Sequence, residues 1–240
     1  MSSNFIRTNQ NSFSSSSGAT YDAGLRDYMI KVYNKMGIAL AISGFISFFA
    51  SNSPALMNLI YNTPLKWVVM LAPLGFVFYF SSKISKISAQ KAQTYLWIFA
   101  SLMGLSLAPI FLIYTGASIA KTFFIAASLF GSMSLYGYTT KKDLTGMGSF
   151  LMMGLIGIIL ASVVNMFLKS SGLDFAISII GVLIFTGLTA YDTQRIKSMY
   201  YQMVGNSESI SKAATMGALS LYMDFINLFI MLLRFFGDRR

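Results

Sequence analysis

The sequence contains no cysteine and no histidine. The first absence excludes disulfides, thiol nucleophiles and cysteine-ligated metals, and leaves the redox compartment unreadable. The second removes serine–histidine catalysis, zinc sites built on paired histidines and histidine proton relays. Charge is scarce as well. Only 11% of the 240 residues are Asp, Glu, Lys or Arg, where a soluble domain has about 25%. So few charges cannot surface a water-soluble fold of this length. What is present instead is apolar: 55% of residues are hydrophobic and the mean hydropathy is +0.63. That composition also excludes a disordered chain and a collagen. Eight acids stand against eighteen basic residues, a net charge of +10, so the meaning of the excess depends on where the charges sit.

A transmembrane helix needs about 20 mostly apolar residues, and seven segments qualify: 32–51, 65–82, 93–114, 117–138, 146–168, 175–194 and 213–236. The spacing predicts an all-α membrane protein, a bundle of seven transmembrane helices with short connections. The boundary between the third and fourth spans rests on Thr115 and Gly116 alone, and one long block with a re-entrant turn is its alternative. Residues 1–24 are read as a disordered polar tail, because the Asn-, Gln- and Ser-rich run 9–17 buries too little apolar surface to offset its ordering entropy. Residues 25–240 form the membrane domain. The first apolar run comes too late and is too long for a signal peptide, so it is expected to remain as an uncleaved first span.

Basic residues orient the bundle. Arg7, Arg26, Lys31, Lys35, Lys83, Lys86, Lys91, Lys141, Lys142, Arg195, Lys197 and Lys212 fall on alternate connections, and these are twelve of the eighteen. The opposite connections hold Lys66, Lys121 and Lys169. The N-terminus is therefore expected in the cytosol. Seven crossings then put Arg234, Arg239 and Arg240 outside, a conflict that a re-entrant last segment would remove. The high net charge is mainly this bias, and no basic patch interleaved with aromatics suggests nucleic acid. Gly157 with Ala161, and Ala127 with Gly131, have the four-residue spacing of close helix contacts. Pro73 and Pro109 lie inside spans two and three, where each removes a backbone hydrogen bond and is expected to kink its helix.

Placing the eight acids leaves two within spans. Asp22, Asp27, Asp143, Glu208 and Asp238 belong to tails and loops, and Asp174 opens span six, where an acid suits a helix N-terminus. Asp224 sits near the middle of span seven. An Asp there costs about 2.5–3.5 kcal/mol on insertion scales, so it should face the bundle interior and find a partner. Asn227, three residues on, extends its polar stripe. Asp192 lies toward the cytosolic end of span six, and Arg195 three residues on offers a plain local ion pair. Spans six and seven are antiparallel neighbours, so the two acids can approach, although counting depth leaves them up to two turns apart unless span seven starts deeper. Two carboxylates meeting in a low-dielectric site cannot both ionise easily and would titrate as one unit. A shared proton would hold the helices together. Its loss would add charge, separate them and offer carboxylate oxygens to a hard cation such as calcium. Lys83 and Lys86, at the cytosolic end of span two, are candidate partners for the deprotonated state.

These residues resemble a known family. Ala190-Tyr191-Asp192 followed by Gln194-Arg195-Ile196, and Leu219-Ser220-Leu221-Tyr222-Met223-Asp224-Phe225-Ile226-Asn227-Leu228-Phe229, are similar to the last two helices of the Bax-inhibitor-1 family. Ala108-Pro109-Ile110 and Lys141-Lys142-Asp143-Leu144 fit its bacterial members. The resemblance covers about residues 25–237. It implies a seven-helix fold around a central C-terminal helix, in a bacterial inner membrane. It also implies a pH-sensitive calcium leak gated by an aspartate pair matching Asp192 and Asp224, with calcium as the permeant ion and no cofactor. In the family a basic residue ending the second helix latches onto the first of these acids. Lys83 holds that place here, without the bidentate fork of arginine. The family's glutamate in the second helix has no counterpart around Pro73. Some bacterial relatives instead modulate a membrane-bound protease.

Three functions follow: a pH-gated cation leak, a regulator or partner of a membrane protease, and an intramembrane aspartyl protease. The third is weakest. Its second motif is Gly-x-Gly-Asp where this chain has Leu221-Tyr222-Met223-Asp224, and its Pro-Ala-Leu lies after both acids, whereas Pro54-Ala55-Leu56 precedes them. The expected protein is not an enzyme.

Overall fold

In the computed structural model, residues 23–203 and 205–240 are described. The expected disordered tail lies outside them but for Ala23 and Gly24. The helices are α1, described over Ala23–Ser51, α2 (Pro54–Tyr61), α3 (Leu65–Lys83), α4 (Ala89–Leu107), α5 (Ile110–Ile113), α6 (Gly116–Thr139), α7 (Thr145–Leu168), α8 (Ser171–Met203) and α9 (Ser207–Phe236). Seven stretches are long and apolar enough to span, with α4 and α5 together forming the third. The protein is an all-α membrane bundle.

Several helices run further than their apolar cores. α1 starts well before residue 32, because Leu25, Tyr28, Met29, Val32 and Met36 recur on one face and are buried. α8 continues nine residues past Gln194, since Ile196 and Tyr200 still face the core. α9 begins at Ser207, where the Asn206 side chain accepts from the Ser209 N–H. Gly205, at φ +100°, supplies the left-handed turn that reverses the chain between α8 and α9.

The doubtful third–fourth boundary is a true break. The α4 helix ends at Leu107, and Pro109 stands at the N-cap of the short α5. Tyr114 is then extended, and Thr115 caps α6 by accepting from the Ser118 N–H. The re-entrant alternative is thereby corrected. Pro73, by contrast, lies within a continuous α3.

α9 is the central helix. Of its most apolar window 67% is buried, against 6% for α7 and 11% for α3. α9 packs on α8, α1, α6 and α4. Its Tyr222 is wholly buried, exchanges a 2.7 Å hydrogen bond with Ser43 of α1, and meets Phe99 of α4 edge-on. α7 and α3 instead present Phe150, Met153, Phe167, Leu71 and Phe78 outward. Such an apolar belt is untenable in water and suited to lipid.

The small-residue pairs singled out by spacing do not make the closest helix contacts. A Cβ on Gly131 or on Gly157 would meet nothing within 4 Å. The tightest backbone approach is at Gly137 of α6, where a Cβ would lie 2.2 Å from the Ala190 carbonyl oxygen of α8.

The C-terminus is anchored at the end of the bundle opposite the α8–α9 turn. Thr115 N–H donates to the Asp238 carbonyl, Arg240 N–H to the Ile113 carbonyl, and Asp238 N–H to Ser118 Oγ. Arg239 lies over the Tyr114 ring at 6.0 Å. Arg234, in the last turn of α9, pairs with Asp174 in the first turn of α8. α9 therefore runs the full length of the bundle, and the re-entrant last segment is also corrected. Asp174 answers one of the three outlying arginines, and an aromatic ring answers a second.

Candidate functional site

Asp192 and Asp224 lie on the interface of α8 and α9, the most extensive helix contact in the molecule. Three contacts fix its antiparallel register. A Cβ on Gly217 would touch Ile196 at 3.0 Å, Arg195 Nη2 donates to Ser220 Oγ at 3.4 Å, and a Cβ on Gly181 would meet Met231 at 2.8 Å. This register sets Asp192 level with Ser220 to Met223 and Asp224 about one turn deeper. The continuation of α8 nine residues past Gln194 brings the acids nearer than the two turns counted from the sequence.

Their surroundings differ. Asp192 is 14% exposed and its Oδ1 stands 3.6 Å from Arg195 Nη1. The Ser220 hydroxyl, which accepts from Arg195, lies beside it. Asp224 is 6% exposed, and its Oδ2 is buried with no hydrogen-bond partner among the described residues. The charged groups acting on it through space are Asp192, which repels, and Arg195, which attracts. With both acids ionised, the cluster of two carboxylates and one guanidinium carries a net negative charge in a water-poor layer. With one proton retained it is balanced.

Ser220, Asp224 and Asn227 recur at helical spacing and line one face of α9. Asn227 is partly exposed. By the same register it lies level with Thr186 of α8, whose buried hydroxyl also lacks a partner among the described residues. Ser220 and Thr186 were not among the candidates from sequence. Ser220 was legible, four residues before Asp224, but a serine in an apolar helix carries no signal until its neighbour is known. A cavity of about 370 Å³ opens beside this face at the lysine-rich end, lined by Arg195, Ser220, Gly217, Met216, Lys212 and Ser85 among others.

The basic candidates separate. Arg195 is the partner of Asp192. Lys83 and Lys86 are exposed and make no ion pair among the described residues. The end of α3 is one wall of the cavity through Ile84 and Ser85, but its lysine side chains do not reach the acids. No group of three or more His, Cys, Asp or Glu converges among the described residues. Asp192 and Asp224 thus offer a hard cation few of the six to eight oxygens calcium prefers.

Gln194 anchors the site from below. Its Nε2 donates to the Lys142 carbonyl at 2.7 Å and its Oε1 accepts from the Leu144 N–H at 2.8 Å. The α6–α7 loop is thereby fastened to the turn of α8 that carries Asp192. Pro54-Ala55-Leu56 opens α2, which packs on α1 and α3 beside Ala108, at the other end of the bundle from the acids' loops. That position gives the protease geometry no support.

Comparison with known proteins agrees with this architecture. The family described as "Inhibitor of apoptosis-promoting Bax1" matches residues 25–240. Protein RP147 of Rickettsia prowazekii is 52% identical, over 94% of this chain and 95% of its own. A protein of Caulobacter vibrioides is 50% identical, over 91% of each chain. Inner membrane protein YbhL of Escherichia coli is 48% identical, over 91% of this chain and 94% of its own. With seven spans around a central C-terminal helix and a match over nearly all of its described length, the chain belongs to the Bax inhibitor-1 family of multi-pass membrane proteins.

Proposed function

We propose that the protein is a pH-sensitive cation leak, with calcium as a permeant ion, gated by Asp192 and Asp224. The observation that carries the reading is the buried, unpartnered Oδ2 of Asp224 beside a second carboxylate. A helix does not retain so costly a group at its centre without a compensating role. The inner-membrane name of a relative and the lysine-rich connections support an inner-membrane location with the N-terminus in the cytosol.

The gate works by charge balance. While the pair keeps one proton, Arg195 neutralises the remaining carboxylate and α8 and α9 stay closed on each other. When the second proton leaves, two carboxylates face one guanidinium. The helices separate at the cavity beside Ser220, and the exposed oxygens admit a cation. Two carboxylates without a third acid bind a divalent ion weakly, as passage requires. Arg195, rather than Lys83 or Lys86, serves as the latch.

The test is calcium flux into liposomes holding the purified protein, measured across pH. Flux should rise with pH through the titration of the pair. Asp224→Asn and Asp192→Asn should each flatten that profile, and Arg195→Gln should shift it. A profile unchanged in both aspartate variants would overturn the gate. Absence of flux in the wild type at every pH would overturn the leak itself, and cross-linking to membrane proteases would then test the regulatory alternative.

A further inference from the structure

α1 packs on α4 and α9, whereas α6 packs on α8 and α9. A seam is left between α1 and α6, crossed by a 2.6 Å hydrogen bond between Tyr33 and Ser134. At the lysine-rich end this seam opens into a groove of about 520 Å³. Its walls are mostly apolar: Met29, Ile30, Phe130, Gly131 and Leu135. Ile30 and Leu135 at its rim are exposed on the outer, lipid-facing surface. Further in, its polar groups Tyr33 and Ser134 are bonded to each other, and its charged group lies at the open end. Arg26 stands in the first described turn of α1, and Tyr138 at the corresponding end of α6. Lys197 lies beside Tyr138, its Nζ 2.8 Å from the Tyr138 carbonyl oxygen and 5.1 Å from the ring centre. Arg26 is exposed and makes no ion pair among the described residues.

A groove with cations at the membrane surface and apolar walls running inward matches one kind of ligand, an amphiphile with an anionic head. We infer that the α1–α6 groove binds an anionic phospholipid of the surrounding leaflet. Its phosphate meets Arg26 and the Lys197 edge, and one acyl chain lies along Ile30, Phe130 and Leu135. The volume falls within the roughly 300–1,000 Å³ of ordinary ligand pockets. Charge complementarity selects the occupant. A basic rim on the lysine-rich side meets the leaflet whose anionic lipids attract Lys and Arg. The bound chain would add to the sparse contact between α1 and α6. The floor of the groove also leads to α8, because Ser134 exchanges a 3.0 Å hydrogen bond with Thr193, the residue after Asp192.

The test uses purified full-length protein in a neutral detergent, titrated with phosphatidylglycerol or with phosphatidylcholine of the same acyl chains. Binding is read by native mass spectrometry. Two variants separate the parts. Arg26→Gln removes the headgroup cation. Gly131→Leu puts a branched apolar side chain into the groove from a position where a Cβ meets nothing within 4 Å. Wild type should prefer phosphatidylglycerol, Arg26→Gln should lower that affinity about fivefold, and Gly131→Leu should abolish the saturable site for both lipids. Equal binding of the two lipids by wild type would overturn the anionic choice. Retention of phosphatidylglycerol by the folded Gly131→Leu variant, shown by an unchanged unfolding temperature, would overturn the groove. Equal competition by glycerol phosphate would assign the rim to a soluble anion. A change of oligomeric mass in Gly131→Leu with lipid binding intact would assign the groove to a second copy. Each of these last two results also overturns the lipid proposal.

Discussion

Asp224 separates a functional acid from a structural one, and its replacement by leucine does so by the sign of the stability change. The carboxyl is 6% exposed and one oxygen is buried without a partner. An unsatisfied buried polar group costs about 1–3 kcal/mol. Leucine keeps the branched skeleton but carries larger methyl groups in place of the oxygens, so misfit offsets part of the transfer gain. Arg195 keeps its pair with Asp192, so no charge is stranded. The expected net gain is about 1–2 kcal/mol. At 2–4 °C per kcal/mol for a chain of this length, the unfolding temperature should rise by roughly 2–8 °C. Asp224→Asn, which keeps the shape and a donor, should stay within about 1 kcal/mol of wild type. The assay is tryptophan fluorescence during thermal unfolding in detergent at neutral pH and a fixed scan rate. A fall of more than about 4 °C in both variants would show that the carboxyl stabilises the bundle, and the argument from its cost would fail.

Gly137→Leu should destabilise by about 1–3 kcal/mol, because its Cβ would overlap the Ala190 carbonyl oxygen, whereas Gly157→Ala should be neutral or stabilising by up to about 1 kcal/mol. Thermal unfolding of the two variants side by side checks the contrast. Gln194→Leu removes both anchors of the α6–α7 loop, so amide hydrogen exchange around residues 141–145 should quicken while the core of α9 is unchanged. Asp174 and Arg234 join the first turn of α8 to the last turn of α9 while both are partly exposed. A double-mutant cycle of Asp174→Asn with Arg234→Gln should therefore give a coupling of only about 0.2–1 kcal/mol.

Much of this protein was legible without coordinates, for a physical reason. A bilayer imposes a length and an apolarity on every span, and both are local properties of the chain. Seven spans and their order follow from that alone. The cost of burying a charge likewise reduced eight acids to Asp192 and Asp224 before any packing was known. Helix ends were less legible. α8 and α9 are extended by amphipathic turns whose buried side is defined by a neighbour, as with Ile196 against Gly217.

The partners of the acids belonged to the tertiary structure. By sequence, Lys83 and Arg195 were both eligible to face Asp192, but the lysine ends a helix that never brings it there. Small residues gave a similar lesson. Gly131 and Gly157 have the spacing of a close contact, yet Gly137 has the contact, because α6 turns that face toward α8. The scarcity of charge and the absence of histidine determined that this is a membrane bundle with two costly carboxylates. Only the register of α8 on α9 decided that they lie within about one turn of each other beside Arg195 and Ser220, because register is set by which side chains interlock across helices, and no single segment contains that.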